Sequence, residues 1–450
     1  MTDLALTRAQ DKMAAAGVAP GAIRVFSHYF QQLQSGDLGL ISEEEIEPFL
    51  DPVVANTLDF TADAQRDAMR KTALLRLNGG LGTSMGLERA KTLIPVRDGK
   101  NFLEIIACQT RHARRRYSAT LPLIFMNSYR TNTDTLECLS QFTDLQVEGL
   151  PLSFLQSKEP RLDAESLQPI SVPESPDDEW CPPGHGDLYV SLESSGILDL
   201  LINQGFQFAQ VSNGDNLGAT PDGNIAAWFA SSAATFAMEV CTRTSNDRKG
   251  GHLARRREDA ALILRESAQT PDGDRAAFED IDLHPYFNTN TLWLNLPRLR
   301  DALTRRDSIL GLPLIRNIKS VGRGEDETQM VVQLETAMGS AIEVFQDAQA
   351  ILVPRSRFLP VKTTNELLLL RSDLYTMGDD CALGLTTQTT PRVDLEATYY
   401  AHLDQYERRI PESPSMRSAK SLRVEGDWYF VPGSTVEGDV LLGKEGGVYQ

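Results

Sequence analysis

Three short apolar runs along the chain each stop at a cluster of polar, turn-forming residues, and this alternation restricts the fold more than any other feature of the sequence. The runs have the length and character of buried strands, and predicted helices at 102–116 and 188–204 lie between them. A repeated order of strand, polar loop and helix predicts an α/β fold with a mostly parallel sheet wrapped by helices. Ligands bind at the carboxyl ends of strands in such sheets, where the polar clusters fall. The runs are 73–77, 121–126 and 206–211, and the clusters are 78–80, 127–128 and 212–215.

The residues on either side of this pattern predict two further domains around a catalytic domain at 71–375. Residues 1–70 predict a helical N-terminal extension, in which Ser42 and Glu45 have the spacing of a capping box. Near the C-terminus apolar side chains recur every six residues, from Val424 to Val448, and such a repeat with Gly at the corners is typical of a parallel β-helix. We therefore expect 376–450 to form a C-terminal domain with a β-helix of only a turn or two.

Composition argues against several classes of protein. The 450 residues carry 44 Lys and Arg against 62 Asp and Glu, a net charge of −18, so the chain repels polyanions and we expect no nucleic-acid partner. No apolar run approaches the roughly 18 residues of a membrane span, and the first residues do not predict a signal peptide. The five cysteines are scattered without a CxxC pair, which favours reduced thiols in a cytoplasmic protein over a disulfide framework or a zinc site.

The segment 77–86, Leu-Asn-Gly-Gly-Leu-Gly-Thr-Ser-Met-Gly, directly follows the first predicted strand, and Lys91 comes shortly after it. Glycine allows main-chain N–H groups to approach a phosphate or a base without a Cβ clash, and a nearby lysine supplies a positive charge. The segment is not a P-loop, because Ala90 stands where GxxxxGK[ST] requires Gly, and its glycines do not fit GxGxxG. Taken alone, a turn with only a structural role is the alternative.

Asp215 stands in the Asn-Gly-Asp-Asn segment 213–216, at the end of the third predicted strand. A carboxylate is the hard oxygen ligand that Mg²⁺ prefers, so this position predicts a magnesium ion held against phosphate oxygens. An Asx turn without a metal is an equally good interpretation of the same residues.

His185 lies between two glycines in the segment 182–187, Pro-Pro-Gly-His-Gly-Asp, and flanking glycines favour a binding loop over a purely structural histidine. Asn288 and Asn290 alternate in a predicted strand, which places both amides on one face. Amides supply the donors and acceptors that sugar hydroxyls need, although a polar edge strand is the alternative.

The segment 353–364 concentrates Arg355, Arg357 and Lys362 in an otherwise acidic protein. Local positive charge between prolines predicts a fixed anion-binding segment, and a solvated basic loop is the alternative.

Taken together and in this order, the motifs resemble those of the eukaryotic-type UDP-glucose pyrophosphorylases, the UTP–glucose-1-phosphate uridylyltransferases. The resemblance implies a Rossmann-like nucleotidyltransferase core of the GT-A type, an N-terminal extension and a left-handed C-terminal β-helix. It also implies that UTP and glucose 1-phosphate give UDP-glucose and pyrophosphate by in-line displacement at the α-phosphorus, with Mg²⁺ as cofactor. The motifs span 77–364 and are LNGGLGTSMG, FMNS, PPGHGD, SNGDNLGAT, FNTNTLW, QLETAMGSAIEVF and VPRSRFLPVKTT.

The same resemblance implies a role for each candidate residue. The nucleotide would be bound by Leu77, Asn78, Gly79, Gly80, Lys91, Gln156 and Gly184, with Gln156 and Gly184 at the uracil. The glucose phosphate would be bound by His185, Asn213, Asn290 and Lys362, and Mg²⁺ by Asp215. Lys91 and Lys362 would be the catalytic residues, because they neutralise charge on the reacting phosphates.

The chain departs from the family pattern at Ala90, where Pro is usual, and at Gly214, where Ile is common. Relatives use the C-terminal domain to associate, so the resemblance also implies a homo-oligomer formed through that domain. Two other functions stay open at this point. One is a UDP-sugar or UDP-N-acetylhexosamine pyrophosphorylase with the same fold, and the other is a non-catalytic nucleotide-binding scaffold.

Overall fold

Helices and strands alternate through the chain, as the α/β prediction requires. The computed structural model describes residues 2–36, 39–244, 247–322 and 328–450. No helix in these ranges combines the length and the apolar character that crossing a membrane requires. The helices in these ranges are α1 Thr2–Ala15, α2 Pro20–Ser35, α3 Ala62–Arg70, α4 Phe102–Tyr117, α5 Asn132–Leu139, α6 Leu188–Ser194, α7 Ile197–Asn203, α8 Gly223–Ser232, α9 Arg275–Phe278, α10 Leu296–Arg305, α11 Thr364–Arg371, α12 Ala397–Tyr400 and α13 Leu403–Arg409.

The strands are short except in the central sheet and in one long hairpin. They are β1 Ile46–Pro48, β2 Val53–Val54, β3 Thr72–Asn78, β4 Pro95–Arg97, β5 Lys100–Asn101, β6 Leu123–Asn127, β7 Ser153–Leu155, β8 Glu159–Pro160, β9 Leu162–Asp163, β10 Trp180–Cys181, β11 Phe208–Asn213, β12 Phe236–Thr242, β13 His252–Arg256, β14 Leu262–Arg265, β15 Tyr286–Asn295, β16 Leu314–Gly322, β17 Thr328–Thr336, β18 Gln349–Leu352, β19 Tyr375–Met377, β20 Leu383–Leu385, β21 Arg392–Leu395, β22 Ala419–Val424, β23 Trp428–Phe430, β24 Gly438–Leu442 and β25 Gly447–Tyr449. The three predicted strands correspond to β3, β6 and β11.

Two compact units make up the chain, and each is built from three chain segments. The first unit consists of Met1–Leu75, Glu148–Val211 and Gly223–Val353, and the second of Arg76–Val147, Ser212–Asp222 and Pro354–Gln450. This division differs from the predicted boundaries at residues 70 and 375. Whether 1–70, 71–375 and 376–450 behave as separate domains stays a prediction.

The first unit contains a strand path with the order β2-β18-β12-β15-β11-β3. β18 runs parallel to β12 and to β2, and both β11 and β12 are antiparallel to β15. The strands β2, β18, β12 and β11 therefore point the same way, and β15 alone among these five runs against them. This agrees with the predicted, mostly parallel sheet. β3 and β11 are almost completely buried, as expected for strands that are covered on both faces.

The N-terminal residues are only partly helical. The capping box forms as predicted, since the Ser42 N–H donates to Glu45 Oε2 at 2.7 Å. It caps a single short 3₁₀ turn, however, and the chain then forms β1 and β2, which pair with β13 and β18. The prediction of helix throughout 1–70 is therefore wrong at β1 and β2, and the chain is helical again at α3. Pairing with an existing strand decides the conformation of such short segments, and the local sequence does not contain that information.

The C-terminal residues form parallel strand pairs, as the six-residue repeat predicts. β22 is parallel to β21 and β24, and β23 is parallel to β25. The repeat positions Val424, Phe430, Val436 and Leu442 are buried, whereas Val448 is 60% exposed. The repeat therefore marks the inward-facing positions and ends with the last strand. The handedness of the coil stays a prediction.

Cys108 on α4 and Cys381, between β19 and β20, form a disulfide within the second unit, with 5.9 Å between their Cα atoms. The prediction of five reduced thiols is therefore wrong for this pair. The two residues are 273 positions apart, so only the tertiary fold brings them together and no local spacing indicates it. Cys138, Cys181 and Cys241 are free thiols.

Candidate active site

The loops that follow β3, β6 and β11 meet in the second unit, as predicted for polar clusters at the ends of neighbouring strands. The Gly214 N–H donates to the Leu77 carbonyl at 2.8 Å, which joins the loop after β11 to β3. Asn78 Nδ2 donates to Asn127 Oδ1 at 2.9 Å, which joins the end of β3 to the end of β6. Three segments that are distant in sequence thus form one hydrogen-bonded polar cluster.

Asn78 is the centre of a buried hydrogen-bond network. Its Nδ2 donates to Asn127 Oδ1 and, at 2.8 Å, to Thr135 Oγ1, and its Oδ1 accepts from the Thr92 hydroxyl at 2.6 Å. Its carbonyl oxygen also accepts from the Thr131 hydroxyl at 2.7 Å. Because the side chain is only 3% exposed and its two N–H groups are both used, we infer that Asn78 supports the loop. A direct contact between this amide and a nucleotide would require the network to open.

The glycines after Asn78 leave the main chain accessible. A Cβ added to Gly80 would meet no atom within 4 Å, so the space beside this residue is open to a ligand. Gly82 has a φ of +69°, and a Cβ there would lie 3.2 Å from the Cβ of Lys91. The Lys91 N–H donates to the Gly80 carbonyl at 3.3 Å. The glycine-rich loop therefore packs against Lys91 and fixes the position of its main chain.

Lys91 and Asp215 form an ion pair in the second unit. The ammonium Nζ lies 2.6 Å from Asp215 Oδ2, and the two side chains are only 16% and 19% exposed. The residue before Lys91 is the buried Ala90, whose φ of −54° lies within the range of proline. A Cβ on Gly214 would lie 3.0 Å from the Leu77 carbonyl oxygen and 3.1 Å from Thr92 Cγ2. Ala90 and Gly214, the two positions that depart from the family pattern, thus lie next to this ion pair.

Lys362 lies on a segment that is attached to the Asp215 loop. Asn216 accepts through Oδ1 from the Leu359 N–H at 2.8 Å, and Asn216 also forms a β-bridge with Pro360. Lys362 is exposed and lies two residues beyond Pro360. Chain geometry therefore limits the distance between the Cα atoms of Lys362 and Asp215 to at most about 17 Å.

Gln156 and Gly184, the predicted uracil contacts, touch each other in the first unit. Gln156 Nε2 donates to the Gly184 carbonyl at 2.8 Å, which orients the amide. Gly184 has a φ of +76°, and a Cβ there would lie 2.5 Å from the Thr336 carbonyl oxygen. Only glycine fits this position, because the loop packs directly on the main chain at the end of β17.

His185 presents a neutral imidazole. Its Nδ1 accepts from the Met338 N–H at 3.0 Å, so the ring proton must be on Nε2. Burial lowers the pKa of His185 to about 4, because the charged form loses its hydration. Near neutral pH the residue can therefore donate a hydrogen bond through Nε2 but adds no positive charge.

Asn290 has a left-handed backbone within β15, with a φ of +56°, where the pairing with β12 shifts register at Glu239 and Val240. Its Oδ1 accepts from Asn288 Nδ2 at 2.8 Å, and its N–H donates to Asn288 Oδ1 at 2.7 Å. The two residues lie in the predicted strand and their side chains contact each other, but a bulge interrupts the regular alternation on which the prediction relied. A non-glycine residue at this φ is uncommon and concentrates at functional sites.

The structure distributes the predicted residues over two sets. The second-unit set contains Leu77, Asn78, Gly79, Gly80, Lys91, Asn213, Asp215 and Lys362, and the first-unit set contains Gln156, Gly184, His185 and Asn290. Among the described residues no group of three or more His, Cys, Asp or Glu side chains could hold a metal ion, and Mg²⁺ at Asp215 stays a prediction.

Sequence reasoning missed the residues that support these sets. Thr92, Thr131 and Thr135 complete the network around Asn78, and Met338 supports His185. The polar cluster after β6 pointed to the first group, whereas a main-chain N–H such as that of Met338 leaves no signal in a sequence.

Known proteins resemble this chain over almost its whole length. The sequence model of the family UDPGP, UTP–glucose-1-phosphate uridylyltransferase, matches residues 23–437. A uridylyltransferase of this name from Saccharomyces cerevisiae is 39% identical over 378 residues, 83% of this chain and 74% of the relative. The one from Musa acuminata is 37% identical over 437 residues, 95% of this chain and 90% of the relative.

A solved structure shows the same fold. It is a variant of the UDP-glucose pyrophosphorylase from Leishmania major in complex with UDP-glucose, with a TM-score of 0.92 and 38% sequence identity over 99% of this chain and 97% of that chain. With a family match across 23–437 and relatives of this similarity, the chain belongs to the UTP–glucose-1-phosphate uridylyltransferase family.

Proposed function

We propose that this chain converts UTP and glucose 1-phosphate into UDP-glucose and pyrophosphate. An oxygen of the glucose phosphate attacks the α-phosphorus of UTP, and pyrophosphate leaves on the opposite side. The observation that carries the proposal is the 2.6 Å pair of Lys91 and Asp215, because it joins a phosphate-neutralising cation and a metal-binding carboxylate where two strands end. The Leishmania major relative, which was solved with UDP-glucose, supports the choice of product.

The reaction needs no nucleophile from the protein, since a phosphate oxygen attacks well once it is positioned. The residues therefore act by orientation and by stabilising charge. Lys91 shifts from Asp215 to the phosphates of UTP when the nucleotide binds, beside the open main chain of Gly79 and Gly80. Lys362 neutralises charge between the attacking and the transferred phosphates.

The residues fit a magnesium ion held by Asp215. Mg²⁺ keeps several waters and commonly takes one or two carboxylates plus substrate phosphates, rather than a cage of protein ligands, which agrees with the single carboxylate here. When bound, the ion supplies charge neutralisation at the phosphates. Lys91 occupies the carboxylate until then, so the ion pair holds the Asp215 side chain in place.

The first-unit set binds the substrates through uncharged groups. Gln156 and Gly184 bind the uracil, with the amide of Gln156 already oriented by its hydrogen bond to Gly184. His185 and Asn290 bind glucose 1-phosphate through neutral donors, and Asn213 in the second unit contributes a further amide. Neutral donors suit discrimination among sugars, because a missing hydroxyl leaves a polar group unpaired.

The finer architecture is also part of the proposal. We assign the catalytic core to the GT-A type and the C-terminal strands to a left-handed β-helix. Homo-oligomers form through the C-terminal strands, where apolar side chains are exposed: Tyr429, Val431, Leu441 and Val448. We also propose a cytoplasmic location, for which the Cys108–Cys381 disulfide removes the argument from reduced thiols.

Pyrophosphate release is the direct test. Purified chain is mixed with UTP, Mg²⁺ and glucose 1-phosphate, and pyrophosphate and UDP-glucose are measured together. We expect equal amounts of the two products and none when either substrate is omitted. A chain that binds UTP without turnover would instead be a nucleotide-binding scaffold.

A substrate panel decides the specificity. Galactose 1-phosphate and N-acetylglucosamine 1-phosphate replace glucose 1-phosphate, and CTP, GTP and ATP replace UTP. We expect the highest kcat/KM for glucose 1-phosphate with UTP. A higher value for another sugar phosphate would assign the chain to a broader UDP-sugar or a UDP-N-acetylhexosamine activity.

A further inference from the structure

The segment Thr336–Gly339, at the end of β17, contacts His185 directly and packs against Asn288, the residue that holds Asn290. It belongs to the QLETAMGSAIEVF motif, to which the family resemblance gave no role. We propose that this segment, which we call the brace, positions His185 and Asn290 for glucose 1-phosphate, with Tyr189 and Gly339 as the positioning residues. The proposal rests on the function proposed above.

The brace holds the His185 loop by two main-chain hydrogen bonds, one to the residue Pro183 and one to the imidazole itself. The Thr336 N–H donates to the Pro183 carbonyl at 3.1 Å, and the Met338 N–H donates to His185 Nδ1 at 3.0 Å. Gly184 leaves space for the Thr336 main chain. A displacement of Met338 would therefore change both the direction of the imidazole and the position of its Nε2 proton.

Tyr189 holds Met338 from the other side. Its hydroxyl donates to the Met338 carbonyl at 2.6 Å, and its side chain is 1% exposed. Tyr189 lies on α6, which begins directly after the short turn that carries His185. Tyr189 and Met338 are buried and His185 is half-buried, and a buried carbonyl that loses its hydrogen-bond donor is costly.

Gly339 supports the other sugar contact. A Cβ on this residue would lie 2.7 Å from Asn288 Nδ2 and 2.8 Å from Leu264 Cδ2. Asn288 Nδ2 is the atom that donates to Asn290 Oδ1. Any side chain at position 339 must therefore displace the pair of amides that holds Asn290 in its left-handed conformation.

Two substitutions test the brace by kinetics. Tyr189→Phe removes one hydroxyl, and we expect the KM for glucose 1-phosphate to rise about five- to tenfold while the KM for UTP changes less than about twofold. Gly339→Ala should raise the KM for glucose 1-phosphate at least about tenfold, because it displaces Asn288. Gly273→Ala is the matched control, since a Cβ there meets no atom within 4 Å.

A readout that does not need turnover separates this proposal from the proposed function. In protein labelled with ¹⁵N-histidine, we expect His185 to show an unprotonated Nδ1 and a protonated Nε2 at pH 7, and Tyr189→Phe should shift the Nδ1 resonance. An unchanged resonance together with an unchanged KM for glucose 1-phosphate would overturn the brace. Equal increases in both KM values, or a lower Tm with unchanged kinetics, would likewise assign the segment a general structural role.

Absence of turnover in the unmodified chain would contradict the proposed function. The Nδ1 resonance of His185 would still show whether Tyr189 positions the imidazole.

Discussion

The two sets of candidate residues differ in how they handle charge. In the second unit, Lys91 and Asp215 are an ion pair with a separation of 2.6 Å, and the exposed Lys362 lies on an adjoining segment. In the first unit, the polar groups are the amides of Gln156 and Asn290 and an imidazole whose pKa is lowered to about 4. One set can neutralise phosphates, and the other can recognise uncharged groups.

This difference indicates a division of labour between rate and selectivity. Charge develops on the phosphates in the transition state, so the charged set should determine mainly kcat. Uncharged donors contact the substrates equally in the ground state and the transition state, so the neutral set should determine mainly KM. The following substitutions test this division, beginning with the largest expected effect.

Asp215→Ala should abolish the response to Mg²⁺ and lower kcat by about a thousandfold or more, because it removes the only carboxylate of the proposed metal site. Turnover is measured against Mg²⁺ concentration, with Asp404→Ala, an exposed carboxylate on α13, as the control. Residual turnover that is still stimulated by Mg²⁺ would mean that the metal binds elsewhere.

Lys362→Ala should lower kcat at least about a hundredfold with the fold intact, by analogy with the loss of one transition-state donor. Steady-state kinetics and the Tm are measured together, and Lys100→Ala, an exposed lysine on β5, is the control. Near-normal kcat in Lys362→Ala would refute the catalytic role. A change in KM alone would mean that Lys362 only binds substrate.

Thr92→Val should lower kcat about tenfold, because it removes the hydroxyl that donates to Asn78 at 2.6 Å and so loosens the position of Lys91 next to it. Thr92→Ser keeps that hydroxyl and should retain most of the activity. Equal activity of the two variants would show that the hydrogen bond does not position Lys91.

His185→Gln should change the KM for glucose 1-phosphate by the same factor at every pH from 5 to 8. His185 stays neutral above its pKa of about 4, so it gains no charge in this range. The substrate phosphate titrates near pH 6, but this affects both proteins alike and cancels in the ratio.

If His185 titrated in this pH range, the ratio of the two KM values would change in one direction only. With an ordinary pKa near 6.5, the imidazole would become cationic as the pH falls and would tighten phosphate binding in the unmodified chain only. The ratio of the two KM values would then grow below pH 6.5. Such growth would place His185 in the charged set and break the comparison between the two regions.

The sequence was sufficient for β3, β6 and β11, because these strands are apolar runs that end in polar clusters. It failed at β1 and β2, which are short and become strands only by pairing with β13 and β18. It could not predict the left-handed backbone of Asn290, because a register shift in the pairing of β12 and β15 is a property of two strands together.

In the candidate site, the residues with charged or distinctive side chains were the predictable ones. Lys91 and Asp215 are 124 positions apart, yet both follow predicted strands, and the structure brings them together. The contacts that orient His185 could not be predicted. They come from the main chain of Met338 and from Tyr189, and in the sequence Tyr189 looks like any other buried residue of a helix.

The Cys108–Cys381 bond turns the polypeptide into a closed ring of chain with two tails. The ring contains residues 108–381, and the tails are what precedes and follows it. A protease that cuts once inside the ring would leave one covalent molecule until a reductant separates the pieces, whereas a cut in either tail would release a fragment at once. Protein that is cut inside the ring would therefore migrate as one molecule on a non-reducing gel, and the position of that cut would become visible only after reduction.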